Sequence, residues 1–298
     1  MKRKITVVGS INVDMVTTTA RIPSQGETIL GDSFQTVPGG KGANQAVAAA
    51  RLGAEVTMLG KVGADMIGKE MIANLEKNNI FTANVEPVTD VPTGVATILL
   101  TEGDNRIIVT PGANSRVTPD YIRSKETVIK ESDAILVQLE IPLEAVIVTL
   151  ELAEKHAVPV IINPAPAQEL PQSAWDKATW ITPNEQEKKQ LFSKKERNEQ
   201  LITTLGHKGA SFQKDGKEYI VPGYVMDAID TTGAGDTFNG ALTTAIAEEK
   251  TITEAVQFAN AAAALSVTKF GAQGGMPTKQ EVEALLKGEK QRAEKRNT

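Results

Sequence analysis

The chain opens with MKRKITVVGSINVDMVT, residues 1–17, in which the apolar run Ile5–Val8 stops at a Gly-Ser pair. A short apolar run that ends at glycine is typical of a buried strand in a parallel sheet. Further strands are predicted at Val56–Leu59, Ala134–Gln138, Val158–Ile162 and Thr179–Thr182. Between them, helical patterns cover Ala43–Leu52, Ile67–Asn78 and Leu143–His156. This alternation predicts an α/β fold, with a doubly wound, mainly parallel sheet flanked by helices.

Two segments interrupt the alternation, residues 15–37 and 92–110. Both segments lack a helical period and are rich in Thr and Val, and Gly, Pro and Asp residues interrupt each of them. Thr97–Leu100 and Arg106–Thr110, on either side of Gly103-Asp104, predict a hairpin. We therefore expect a small β lid, inserted into a core made of residues 1–14, 38–91 and 111–298. A small sheet outside the core needs a ligand, a partner subunit or both to cover its apolar face.

The composition excludes several classes of function. Of 298 residues, 32 are Lys or Arg and 37 are Asp or Glu, and the net charge of −5 argues against a nucleic-acid partner. The chain has no cysteine, which excludes disulfides, a cysteine nucleophile and thiolate metal sites. The first apolar run is too short for a signal peptide, and no stretch approaches 18 consecutive apolar residues. We predict a cytoplasmic protein that does not bind membranes.

The segment most informative about chemistry is DTTGAGDTFNG, residues 230–240. Its Gly-Ala-Gly loop, Gly233–Gly235, runs directly into a predicted helix. We expect the amides of this loop to be unpaired, so that they and the helix dipole attract an anion such as a phosphate. Asp236, in the first turn, could accept a proton from a hydroxyl that attacks that phosphate. A capped helix with an acidic first turn is the structural alternative, and this segment alone does not decide between them.

Two further segments predict a site for a polyol. GGKGANQA, residues 39–46, opens the alanine-rich helix, and its Lys41 and Asn44 carry donors for hydroxyl groups. Asn12 and Asp14 follow the first strand, share one face by alternation, and lie where parallel sheets bind ligands. A glycine turn before a helix and an ordinary polar segment are the respective structural alternatives.

Together, and in their order along the chain, the three segments resemble those of the PfkB-type carbohydrate kinases, and the likeness covers nearly the whole chain. The resemblance implies an α/β core with a small β-sheet lid and ATP-dependent phosphorylation of D-ribose at O5 to D-ribose 5-phosphate. Asp236 would be the base and Gly233–Gly235 the anion hole. The lid of this family often serves as a dimer interface, so a homodimer is expected. A related kinase for another sugar or a nucleoside, and a binder without turnover, are the alternatives.

The resemblance also implies the site residues. D-ribose would be bound by Asn12, Asp14, Gly40, Lys41, Gly42, Asn44, Glu140 and Asp236. ATP would be bound by Asn184, Thr204, Leu205, Gly206, His207, Lys208, Gly209, Gly235 and Asn260. An activating K⁺ would be held by Asp230, Thr232, Ser266, Lys269, Gly271 and Gly275. Mg²⁺ would be held, indirectly or through water, by Asn184 and Glu187, for which a polar helix start is the structural alternative.

One interval departs from the family pattern. Only 20 positions separate Asn184 from Thr204, and Ser193–Gln200 is almost without apolar residues. A parallel crossover needs about a dozen residues or more, helix included. Either a crossover helix has been lost or a segment is missing from the sequence. We expect the second, because loss of a surface helix would expose the sheet.

Overall fold

The computed structural model describes residues 2–101, 104–193 and 198–296. Its strands are β1 Lys4–Val8, β2 Asn12–Thr18, β3 Ser33–Gly39, β4 Glu55–Gly63, β5 Ile80–Phe81, β6 Val85–Val88, β7 Gly94–Thr101, β8 Asp104–Thr110, β9 Ala134–Gln138, β10 Val160–Asn163, β11 Trp180–Ile181, β12 Ile202–Thr204, β13 Gly209–Lys214 and β14 Lys217–Pro222. Its α-helices are α1 Lys41–Arg51, α2 Met66–Lys77, α3 Pro119–Ser124, α4 Glu126–Lys130, α5 Leu143–Lys155, α6 Gln172–Trp175, α7 Glu185–Phe192, α8 Ala234–Ala247, α9 Ile252–Ser266 and α10 Lys279–Arg296.

The core is a parallel sheet in the order β11-β10-β9-β1-β4-β5, with β6 also paired to β4. Strand β1 is central, and Val8 lies between Leu59 of β4 and Val137 of β9. Val7 packs in an apolar cluster with α1, α8 and α9, whereas Val8 packs in a second cluster with α3 and α5. Helices on both faces explain why the strand is apolar on both sides. The predicted doubly wound α/β fold is confirmed.

A separate four-stranded sheet in the order β3-β2-β7-β8 forms the lid. It begins earlier than predicted, because β2 starts at Asn12 and pairs with β3 as far as Gly39. Asn12 and Asp14, which we assigned to the core, therefore lie in the lid sheet. Glycine at 39 makes room for the Asp14 carboxylate, since a Cβ atom there would lie 2.1 Å from Asp14 Oδ1. The predicted hairpin is present as β7 and β8, and Gly103 lies outside the described residues.

The short interval after β11 contains a helix and a strand, on either side of residues 194–197, which lie outside the described ranges. The eight-residue helix α7 is followed by β12, and parallel bridges join Ile181 to Leu201 and Asn184 to Thr204. The sheet is not exposed, because Leu191 and Phe192 pack in one buried cluster with Ile181 and Leu201. Two apolar residues at the end of a charged helix thus cover these strands, so the exposed sheet on which we based a missing segment is not observed. The missing segment itself stays a prediction.

Strands β12, β13 and β14 form a third, antiparallel sheet. In the described part of the chain, no helix combines the length and the apolar character needed to cross a membrane.

Candidate active site

Two cavities meet at the N-terminus of α8. Thr232, Gly233 and Asp236 line one of about 700 Å³ under the lid sheet, which we name the lid cavity. Ala234 and Gly235 line another of about 590 Å³ beside the loop after β12, which we name the loop cavity. Gly233 has a φ of 78°, and a Cβ atom on it would lie 2.7 Å from the Ala272 carbonyl oxygen. Only glycine fits between the cavities at this position.

The lid cavity collects most of the residues that the resemblance assigned to ribose. The polar ones come from β2, from the start of α1, from the segment after β9 and from α8, and they are Asn12, Asp14, Lys41, Asn44, Glu140 and Asp236. Gly40 also lines the cavity. Gly42 does not, and instead packs on Ser10, whose backbone nitrogen would lie 2.6 Å from a Cβ atom at 42. The lid covers the cavity with apolar side chains, namely Ala96, Ile98, Ile107 and Val109.

Charge is concentrated in the lid cavity. Among the described residues that line it, Lys41 is the single cation, and it faces three carboxylates. Burial raises the pKa of Asp14 to about 6, and the nearby Glu140 and Asp236 add to the rise while Lys41 opposes it. Burial acts to lower the pKa of Lys41, but Asp236 and Glu140 outweigh it, so that this pKa is raised. Glu140 is fixed by accepting hydrogen bonds from the Ser10 hydroxyl at 2.5 Å and from the Lys41 amide at 3.1 Å.

Asp236 is buried in the first turn of α8, with each carboxylate oxygen held by a side-chain amide. Asn44 Nδ2 donates to Oδ2 and Gln45 Nε2 donates to Oδ1, both at 3.0 Å. Burial raises the pKa of Asp236, against the opposing effects of Lys41 and the two amides. The carboxylate is thus held in a fixed orientation at the wall of the lid cavity.

The hydrogen bonding of the backbone amides before Asp236 differs from our expectation. The Ala234 amide donates to the Thr231 carbonyl at 3.3 Å, so it is not unpaired as we predicted. The cause is the left-handed Gly233, which turns the chain back on itself just before the helix. By helix geometry, the amides of Gly235 and Asp236 have no partner within the helix. They keep the positive end of the dipole between the two cavities.

The loop cavity collects most of the residues that the resemblance assigned to ATP. Those that line it are Asn184, Thr204, Gly206, His207, Gly209, Gly235 and Asn260. Leu205 and Lys208 belong to the same loop but are not among the lining residues. Asn260 is buried, and its Nδ2 donates to the Val221 carbonyl at 3.0 Å, which ties α9 to β14.

Asn184 and Glu187 form a capping box at the start of α7. Asn184 Oδ1 accepts from the Glu187 amide at 2.8 Å, and Glu187 Oε2 accepts from the Asn184 amide at 2.9 Å. Burial raises the pKa of Glu187. The structural alternative that we considered is therefore present, and a role for this pair in metal binding stays a prediction.

The residues predicted for K⁺ come together beside α8. Asp230 Oδ1 accepts from the Thr232 amide and Oδ2 from the Gly271 amide, both at 2.9 Å. Gly275 packs closely against Ser266. A Cβ atom at position 275 would lie 1.8 Å from the Ser266 carbonyl oxygen, so glycine is needed there. Lys269 lies in the turn between these residues. The described residues contain no cluster of three or more His, Cys, Asp or Glu side chains that could hold a metal ion.

Two groups of site residues were missed in the sequence. Gln45 contacts Asp236 directly, and its place beside Asn44 in GGKGANQA was the available signal. The apolar lining of the loop cavity was also missed, because small apolar residues in a sequence indicate core. These residues include Val225, Met226, Ala263, Ala264 and Val267.

Comparisons with known proteins agree along nearly the whole chain. Residues 2–279 match the pfkB family carbohydrate kinase. The ribokinase of Bacillus subtilis is 50% identical over 291 residues, which cover 95% of this chain and 99% of that protein. The structure of Arabidopsis thaliana ribokinase complexed with ribose and ATP is 33% identical, with a TM-score of 0.88 over 96% of this chain and 99% of that one. The ribokinase structure from Thermotoga maritima is 38% identical, with a TM-score of 0.85 over 95% and 99%.

Proposed function

Because the chain belongs to the pfkB family of carbohydrate kinases, we propose that it transfers the γ-phosphate of ATP to O5 of D-ribose, giving D-ribose 5-phosphate. The observation that carries this proposal is the position of α8. Its first turn separates two cavities, with Asp236 at the wall of one and Gly235 at the wall of the other. A sugar and a nucleotide bound in the two cavities would meet at this helix end.

In the proposed reaction, ribose occupies the lid cavity and its hydroxyl groups bind to Asn12, Asp14, Lys41, Asn44 and Glu140. The Asp236 carboxylate accepts the proton of the attacking hydroxyl. The helix N-terminus at Gly233–Gly235 stabilises the negative charge of the phosphoryl group in transfer. Such a transfer depends on positioning and charge stabilisation more than on covalent chemistry. Closure of the lid would keep water from the reacting phosphate.

ATP occupies the loop cavity in this proposal. The backbone of the Thr204–Gly209 loop and the Asn260 side chain would bind the nucleotide, and the triphosphate would extend toward Gly235. The cavity supports this assignment through its volume of about 590 Å³, which is within the usual range of about 300–1,000 Å³ for ligand sites.

Two cations belong to the proposal. Mg²⁺ would neutralise phosphate charge, and Glu187 fits a water-mediated role, because its capping bond uses only one carboxylate oxygen. K⁺ would be held by oxygen atoms of the Asp230 carboxylate, Thr232 and the 266–275 loop. This donor set is chemically suited to a hard cation, and its own hydrogen bonds order the loop next to Gly233. A homodimer formed through the lid and a cytoplasmic location complete the proposal.

A coupled assay of nucleotide turnover with ribose, deoxyribose, fructose and adenosine tests the proposal. We expect ribose to give the highest kcat/KM, and omission of magnesium to abolish turnover. The same assay in potassium-free buffer, titrated with KCl or NaCl, should show activation by potassium and little by sodium. Preference for fructose or adenosine would indicate a related kinase. Ribose binding without turnover of any substrate would indicate a binder instead.

A further inference from the structure

A network of buried side-chain amides lies behind Asp236, on the side away from the lid cavity. Its central member is Gln45, which has no exposed surface. Gln45 Nε2 donates to Asp236 Oδ1 and also to Asn163 Oδ1, each at 3.0 Å. Gln45 Oε1 accepts from Gln138 Nε2 at 2.6 Å. Both protons and the oxygen of this amide are therefore used.

The network fixes which way the Gln45 amide faces. If the amide were reversed, its oxygen would oppose the Asp236 carboxylate and its NH₂ group would oppose that of Gln138. Gln138 lies at the end of β9 and Asn163 at the end of β10, two adjacent strands of the core. The partners that hold Gln45 are thus parts of the central sheet.

The two amides that hold Asp236 have different surroundings. Asn44 lines the lid cavity, where a sugar can contact it, and its Oδ1 accepts from Gln273 Nε2 at 2.9 Å. Gln45 does not line the cavity and contacts Asp236 from behind. A substitution at Gln45 can therefore alter the base without removing a sugar contact.

We propose that Gln45 is a positioning residue, which fixes the rotation of the Asp236 carboxylate and keeps it ready to accept a proton. The inference rests on the proposed role of Asp236 as the base. A carboxylate that loses one of its two donors can rotate away from the attacking hydroxyl, and small misplacements of reacting groups are costly. The Gln45 hydrogen bond also lowers the pKa of Asp236, against the effect of burial, so its loss would disfavour the ionised form.

The test compares Gln45→Met with a control variant. Met retains the length of the side chain and removes the amide. Thr149→Val is the matched control, because it removes a buried hydrogen bond within α5, from the Thr149 hydroxyl to the Ala145 carbonyl, and Thr149 lines neither cavity. We expect kcat of Gln45→Met to fall about tenfold or more, with the KM for ribose changed less than about threefold. The acidic limb of its kcat–pH profile should move to higher pH. Thr149→Val should change neither.

Gln138→Met is the second variant, and it decides the matter if Gln45→Met does not fold. It removes the anchor of the Gln45 amide but leaves the donor to Asp236. We expect a smaller fall in kcat in the same direction, with ribose binding by calorimetry unchanged. Wild-type kcat and pH profile in a folded Gln45→Met, or in Gln138→Met where that is the test, would overturn the inference. So would an effect on KM alone.

Failure of this inference can be told apart from failure of the proposed function. If Asp236→Asn retains turnover, the assignment of the base is wrong and the role of Gln45 falls with it. If Asp236→Asn is inactive while Gln45→Met behaves as wild type, only the role of Gln45 is wrong.

Discussion

The lid cavity and the loop cavity flank the same helix end, yet different kinds of side chain line them. The lid cavity is lined by four charged side chains, those of Asp14, Lys41, Glu140 and Asp236. The loop cavity is lined mainly by glycine backbone and by small or aliphatic side chains, among them Val225, Ala263, Ala264 and Val267. The lid cavity therefore offers charged groups to a ligand, whereas the loop cavity offers mainly small and aliphatic surfaces.

With ribose and ATP placed as we propose, the difference predicts how each substrate is selected. A site built to hydrogen-bond hydroxyl groups discriminates strongly, because a missing partner leaves a buried polar group unpaired. An apolar cavity selects by fit, and one added methylene changes affinity by about 1–3 kcal/mol. Variants in the lid cavity should therefore change ribose affinity and kcat. Variants in the loop cavity should change the KM for ATP.

The largest effect is expected from Asp236→Asn. This change keeps the shape of the side chain and removes the base, so kcat should fall about 10²-fold or more. Ribose affinity should stay within a few-fold, because the remaining polar groups of the lid cavity are untouched. Steady-state rates and calorimetry with ribose provide the measurements. Turnover near the wild-type value would contradict the assignment of the base.

The second largest effect is expected from Asp14→Asn, which should weaken ribose affinity. The substitution removes a buried carboxylate that can accept hydrogen bonds from sugar hydroxyls. A hydrogen bond to a charged group is worth about 1.5–3 kcal/mol, so we expect ribose affinity at pH 8 to fall about 10- to 100-fold. The KM for ATP serves as the internal control and should stay within about threefold, because Asp14 lies outside the loop cavity. Equal losses for both substrates would show that the cavities are not independent.

Ala264→Leu should have the opposite selectivity. Ala264 lies on α9 and lines the loop cavity, and leucine is as compatible with a helix as alanine is, to within a few tenths of a kcal/mol. The larger side chain fills space, so the KM for ATP should rise about tenfold with ribose binding unchanged. Ala264→Ser, which adds little volume, is the matched control. A wild-type KM for ATP in the leucine variant would place the nucleotide elsewhere.

Substitutions of apolar residues in the lid sheet should have a smaller effect, and among the two substrates they should weaken only the binding of ribose. Ile107 and Val109 line the lid cavity and are 52% and 46% exposed, whereas Ile108 points to the opposite face of β8. A bare apolar face of this kind favours burial in a two-fold dimer. Ile107→Lys with Val109→Lys should give a monomer in sedimentation velocity and ribose affinity weakened several-fold, with circular dichroism unchanged.

Ile108→Lys is the matched control for that double variant, since it adds charge to the outer face and should leave the dimer and ribose affinity intact. An unchanged double variant would argue against this lid face as the interface. A monomeric wild type that binds ribose tightly would argue against the dimer itself.

The sequence predicts the core of this fold because its signals are local. The strand Ala134–Gln138 was predicted with its observed bounds, and α1 and α5 within two residues. The assignment of Asn12 and Asp14 was wrong because strand pairing with β3 and β7 is decided by residues far along the chain. The packing of α7 was not predicted, because only two of its residues, Leu191 and Phe192, are buried.

The two cavities were also unequally predictable. Polar residues near glycine are rare enough in a core to stand out, and so the motifs located the lid cavity. The apolar lining of the loop cavity has no such signal, because Ala263 and Ala264 resemble the core alanines of the same helix. Gln45 was missed because only the structure shows which carboxylate its amide contacts.

The smallest predicted effect is a pH dependence confined to the lid cavity. Burial, with Glu140 and Asp236 nearby and Lys41 opposing, raises the pKa of Asp14 to about 6, so the carboxylate is ionised at pH 8 and gains a proton as the pH falls through about 6. At pH 5.5 about a quarter of the sites would hold the charged form, and ribose affinity should be about fourfold lower than at pH 8. Equilibrium binding measured by calorimetry, rather than turnover, isolates this step from the proton transfer to Asp236. Asp14→Asn cannot titrate at this position, so its weaker ribose affinity should change less over the same range. If the wild type and Asp14→Asn lose affinity equally on acidification, another group is responsible, and Asp236, whose pKa burial also raises, is then the first to test.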